Sequence, residues 1–126
     1  MEIEKIIEQT VERIIARLTI TGALRTDQAE ITRKTEELLE RYTQFQLSDQ
    51  PYTRKVLAQI NDALNSIKDD PYYSIIPMYY FDHVTRFGIA EYFGVTERTI
   101  TRHRIRLVSE LSSVLFSDDV ILKILS

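Results

Sequence analysis

The chain has 126 residues, 44% of them hydrophobic and 28% charged, which suffices for one compact core with an extension but not for two independent domains. It contains no cysteine, which excludes disulfide frameworks, thiolate metal sites and thiol nucleophiles together. The net charge of -3 conceals an asymmetry: residues 1–70 hold 10 Lys and Arg against 13 Asp and Glu, whereas residues 83–106 hold Arg86, Arg98, Arg102, Arg104 and Arg106 against only Glu91 and Glu97.

Three glycines and three prolines leave long stretches in which apolar residues recur three and four apart, so the expected fold class is all-α. In the first stretch, Ile3, Ile7, Val11, Ile14 and Leu18 form the apolar stripe of an amphipathic helix that ends near Thr21-Gly22. A second predicted helix opens at Thr26 or Asp27, where Asp27 and Glu30 have capping-box spacing. Its stripe is Ile31, Leu38, Tyr42 and Phe45, interrupted by Thr35. These two segments form either an antiparallel hairpin or a coiled-coil-like dimer seam, and fewer than three heptads leave both readings open.

Ser48-Asp49-Gln50-Pro51 breaks the chain, and a third predicted helix carries Val56, Leu57, Ile60, Ala63, Leu64 and Ile67 on one side before ending at Lys68-Asp69. Asp70-Pro71 then reads as a cap with proline at the first helical position of an apolar segment running through Tyr72, Tyr73, Ile75, Ile76, Met78, Tyr79, Tyr80 and Phe81. Pro77 removes a backbone donor in the middle of this segment and predicts a kink or an early break. The clustering of the tyrosines with Ile and Met favours core packing over base stacking.

From Arg86 the sequence reads RFGIAEYFGVTERTITRHRI, and its residues fill the places required by a helix-turn-helix over residues 86–105. Ala90 is small where two helices cross, Gly94 suits a left-handed helix stop, and Thr96 suits the cap of the second helix. Ile89, Phe93, Val95 and Ile100 supply the shared apolar contacts. On the second helix Thr96, Glu97, Arg98, Thr101 and Arg102 project away from Ile100, where a recognition helix meets base edges. Arg98 and Arg102 can pair with guanine, Glu97 can accept from a cytosine amino group, and Thr96 or Thr101 can touch phosphate or a thymine methyl. Arg86 adds positive charge for phosphate contact, while Arg104 and Arg106 suit either phosphates or acids of the same chain. The alternative is an arginine-rich solvated face. His103 is expected as a packing residue and His83 as a loop residue.

The long helix continues through Leu107, Val108, Leu111, Val114, Leu115 and Phe116, and breaks near Ser117-Asp118-Asp119. The apolar tail Val120–Leu125 needs a partner surface, which is either the third and fourth predicted helices or a second subunit.

The run ALNSIKDDPYYSIIPMYYFDHVTRFGIAEYFGVTERTITRHRIRLVSELSSVLF, residues 63–116, resembles the C-terminal half of the ArpU/RinA-type late transcriptional regulators of phages and prophages in Gram-positive bacteria, which in turn resemble region 4 of sigma factors. The matching features are the DDPYY entry, the YYF before the loop, IAEYFGVTERTI, the RHR triplet and the closing LSSVLF. Two departures are Pro77 and the stretch Val84-Thr85-Arg86-Phe87, which lacks the acidic pair common after the cap in sigma-like motifs and is more basic. The resemblance implies a DNA-binding activator of late genes, with base contacts carried by Thr96, Glu97, Arg98, Thr101 and Arg102. The expected division is into a helical region at 1–69, read as the oligomerising part, and a region at 70–126 that the resemblance makes a sigma region 4-like helix-turn-helix with a long final helix.

The expected function is therefore sequence-specific binding of double-stranded DNA by a cytoplasmic homodimeric regulator. An acidic N-terminus, Met1-Glu2-Ile3-Glu4-Lys5, and the absence of a membrane-length apolar run give that localisation and exclude a membrane partner. A small terminase-like DNA-packaging protein and a sigma-like module docking on RNA polymerase are the alternatives. No enzymatic activity, metal or cofactor is expected, since no nucleophile, base and orienting acid form a constellation and no phosphate-cradling glycine loop occurs.

Overall fold

The computed structural model describes residues 28–117 and Val120. The first predicted helix, Asp27 of the predicted capping box, and the tail beyond Val120 lie outside the described residues. Those described are helices and their connections, with no strand among them, and no helix is long and apolar enough to cross a membrane.

Helix α1 spans Gln28–Glu40 and α2 spans Tyr42–Gln46. The single long helix expected here is interrupted at Arg41, whose N–H reaches both Glu37 O and Leu38 O at 3.3 Å. Beyond this interruption Phe45 is fully buried, and Tyr42 stacks on Phe81 with ring centroids 4.3 Å apart. Thr35, which interrupts the apolar stripe in sequence, lies buried 2.7 Å from the Ser112 hydroxyl. Both hydroxyls also lie within bonding distance of the carbonyl one turn back, Ile31 O and Val108 O. With one proton each, one hydroxyl donates across the helix interface while the other donates within its own helix.

Helix α3, Pro51–Ser66, begins as expected with proline in its first turn after Gln50 in an extended conformation. Its buried positions Thr53, Val56, Leu57, Ile60, Ala63 and Leu64 recur at helical spacing, so one face is removed from water.

The apolar segment after Asp70 breaks at Pro77, as expected, but the break takes a form other than a simple kink. The Asp70 carboxylate caps it by accepting from Tyr72 N at 2.8 Å, and bonds to carbonyls three residues back carry the chain to Ile76. A π-helical turn then occupies Pro77–Phe81, closed by Asp82 N donating to Pro77 O at 3.0 Å. Pro77 has no N–H, so the ordinary ladder fails at that point and the wider turn is the form its break takes.

This turn divides the interior. Ile76 and Tyr80 join a large core with Leu38, Leu39, Phe45, Val56, Ile60, Leu64, Leu107, Leu111 and Leu115, while Ile75 enters a smaller one with Ile89, Ala90 and Ile100. Helix α4, Arg86–Phe93, packs on the smaller core, and α5, Glu97–Leu115, runs through both. Val120 is buried against the large core.

Candidate nucleic-acid interface

Short-range chemistry sets the relation of α4 to α5. Thr85 is extended, and its hydroxyl accepts from Gly88 N at 3.1 Å, capping α4. A Cβ on Gly88 would lie 3.1 Å from Val84 Cγ1 and 3.3 Å from Thr85 Oγ1, so a side chain there would crowd the cap. Gly94 closes α4 at φ 68°, ψ 35°, a conformation that costs other residues roughly 1–2 kcal/mol. Its turn lets Val95 N donate to Ala90 O at 3.0 Å. Thr96 caps α5 by accepting from Thr99 N at 3.2 Å. Ile89, Ala90 and Ile100 meet beneath the turn with Ile75, flanked by Phe93, Val95, Met78 and Val84.

With Ile100 buried, the opposite side of the N-terminal half of α5 faces solvent. Arg98 and Arg102 are exposed there, one helical turn apart, and among the described residues neither has an ion pair. They line an open groove with Arg86, Glu97, Thr99, Thr101 and Ile105. Within this groove Arg86 bridges the two helices: its Nε is 3.5 Å from Glu97 Oε1, and its Nη1 donates to Thr101 Oγ1 at 3.4 Å. Both long side chains of that ion pair are about half exposed, so it orients them while adding little stability. The Thr96 hydroxyl is occupied by its cap and by Thr99 Oγ1 at 2.9 Å.

Arg104 and Arg106 point elsewhere. Of the two roles the sequence left open for them, the structure shows pairing with acids of the same chain. Arg104 Nη1 donates to Glu36 Oε2 at 2.9 Å and to Tyr80 Oη at 3.0 Å, and its guanidinium lies 4.7 Å from the centre of the Tyr79 ring. The Tyr80 hydroxyl in turn donates to Glu36 at 2.6 Å. Burial first, and the Glu36 bond second, hold that phenol protonated well above its usual range. Arg106 forks onto Asp70, with Nη1 and Nη2 at 2.9 and 3.1 Å from the two carboxylate oxygens. These bonds hold the Asp70 carboxyl below its ordinary range.

His103 stacks on Tyr72 at 3.8 Å between ring centroids. Its Nδ1 lies 3.3 Å from Arg106 Nε and 3.1 Å from Nη2. Because a guanidinium only donates, Nδ1 is an unprotonated acceptor. Burial, followed by the charges of Arg106 and Arg102, pushes the imidazole below its ordinary value. His83 lies in the loop before α4 with φ 56°.

Thr96 thus caps α5, Glu97, Arg98, Thr101 and Arg102 share its first two turns, Arg86 joins them from α4, and Arg104 and Arg106 fasten the helix to α1 and to the Asp70 cap. Sequence reasoning missed Ile105, although its five-residue offset from Ile100 places it on the outer face of the helix. It also missed Glu36 and Asp70 as anchors, whose partners lie 68 and 36 residues away and leave no periodic signal. Comparison with protein-family models, with curated proteins and with solved structures finds no match.

Proposed function

We propose that the chain is a sequence-specific double-stranded DNA-binding regulator of transcription, with α4 and α5 acting as a helix-turn-helix and the N-terminal half of α5 entering the major groove. The observation that carries this reading is the exposed pair Arg98 and Arg102, without ion pairs among the described residues, on a helix fixed at both ends. Residues four apart on a helix have Cβ atoms about 6 Å apart, and the rise per base along one strand is about 3.4 Å. Two arginines at this spacing therefore address guanines about two base steps apart, each through a fork onto O6 and N7.

Arg86 holds Glu97 and Thr101 at the rim of the same groove, where Glu97 accepts from a cytosine amino group or steers Arg86 toward phosphate. Replacing both Arg98 and Arg102 by Ala removes two base contacts worth about 1–3 kcal/mol each and abolishes specific retention on a cognate duplex. The measurement is binding to the wild-type-selected duplex beside a scrambled one at the same salt. Retained discrimination in the double variant would refute the assignment.

The likeness to the ArpU/RinA-type regulators extends the reading to a phage or prophage late-gene activator working in the cytoplasm, with RNA polymerase as a further contact. One such helix reads few base pairs, so pairing of two copies through the N-terminal region is part of the same proposal.

A further inference from the structure

Four large apolar side chains are exposed among the described residues: Leu47, Phe87, Tyr92 and Ile105. Only Ile105 lines the groove that holds Arg98 and Arg102. It is 53% exposed, one turn beyond Thr101 and three residues beyond Arg102, on a stripe otherwise made of charges and hydroxyls. The next residues inward on α5, Leu107 and Val108, are buried in the large core, so the helix had apolar positions available elsewhere and still carries a β-branched aliphatic group outward at 105.

The edges of base pairs in the major groove offer hydrogen-bond donors and acceptors and one apolar group, the C5-methyl of thymine. Arg98 and Arg102 match the acceptors of guanine, and Ile105 matches none of the polar features. We propose that Ile105 is a specificity-determining residue that packs against a thymine methyl, a role that rests on the reading of α5 as a major-groove helix. At about 1.5 Å per residue, Ile105 lies about 4.5 Å beyond Arg102 along the helix axis, which is one to two base steps at about 3.4 Å. The thymine therefore flanks the guanine met by Arg102 on the side away from the guanine met by Arg98. Thr101, tied to Arg86 through its hydroxyl, presents its own methyl one turn earlier and is the competing reader.

The test uses the duplex enriched from a random pool by the wild-type chain, remade with deoxyuridine at one thymine at a time. This substitution deletes only the methyl group and keeps the pairing edge. At one thymine per half-site, the wild-type chain loses about four-fold in affinity, the worth of one buried methyl group. Ile105→Ala, which removes the contact from both half-sites, binds the thymine duplex as weakly as the wild type binds a duplex carrying deoxyuridine at that position in both half-sites, and loses nothing more on deoxyuridine. Ile105→Val keeps the preference for thymine. An exposed position makes all three chains equally stable, which thermal unfolding checks. Indifference of the wild type to every deoxyuridine overturns the inference while leaving DNA reading intact. Persistence of the thymine preference in Ile105→Ala also overturns it and transfers the role to another residue. Absence of any enriched sequence overturns the underlying reading as well.

Discussion

The arginines of this molecule stand in two different settings, distinguished by what surrounds each guanidinium. Arg98 and Arg102 are exposed, whereas the Arg104 side chain is 17% exposed and shares Glu36 with the Tyr80 hydroxyl. Removing one partner of such a part-buried network leaves the others desolvated and uncompensated. Arg104→Ala is therefore expected to lower folding stability by about 2–3 kcal/mol, with unchanged affinity and salt dependence of DNA binding measured well below its melting point. On the proposed reading Arg98→Ala should do the reverse, reducing affinity and leaving the free energy of unfolding within about 0.5 kcal/mol of the wild type. Equal stability losses in the two variants would contradict this separation. Local backbone chemistry was legible at this scale: Gly94 adopts the left-handed conformation, Thr96 caps α5, Pro51 opens α3 and Asp70 caps the segment after it. Each of these depends on a residue and its near neighbours, which is the information a sequence displays.

At the scale of elements, the start of the aromatic segment and the middle of α5 are joined through Asp70, Arg106, His103 and Tyr72. The protonation of two of these groups gives the joint a pH dependence of definite sign. His103 is depressed in the fold, so the unfolded chain takes up its proton first; the stability it supports is complete above an ordinary imidazole value near 6.5 and falls as pH drops through and below it. Asp70 is also depressed, and its contribution is complete above an ordinary carboxyl value near 3.8 and is lost as pH falls below that. Thermal unfolding across pH should show both stages, with His103→Gln removing the first and Asp70→Asn the second. A melting temperature that rises on acidification from 7 to 5 and loses that rise in His103→Gln would contradict the sign for the histidine.

Helical periodicity revealed α3 and α5 because each buries one continuous face. It failed over residues 72–81, where nearly every position is apolar and no face stands out. The sequence placed the break at Pro77 but neither its π-helical form nor the division of Ile75 and Ile76 between two cores. It failed also at Arg41, where a one-residue interruption separates two helices that one apolar stripe runs across.

Across the whole molecule, α5 is the common member: its first turns carry the exposed arginines, and its later turns pack with α1 and α3 in the large core. A helix anchored in both cores presents the exposed side of its first turns with little loss of order on binding, which is what the proposed placement on a duplex requires. The charge asymmetry fits the same division, since the net charge of -3 is set largely outside the basic stretch. On the proposed dimer, light scattering should give about twice the chain mass of 14.8 kDa at micromolar concentration. A ring-sized mass would instead favour a packaging protein, and a monomer that binds an asymmetric site tightly would remove the pairing from the account.

The central claim concerns reading of duplex sequence, and selection of bound molecules from a random duplex pool at fixed salt tests it most directly. The account predicts an enriched motif with guanines about two steps apart in each of two symmetric half-sites, lost when Arg98 and Arg102 are both replaced by Ala. A pool that emerges without enrichment, or with the same motif from the double variant, would contradict it.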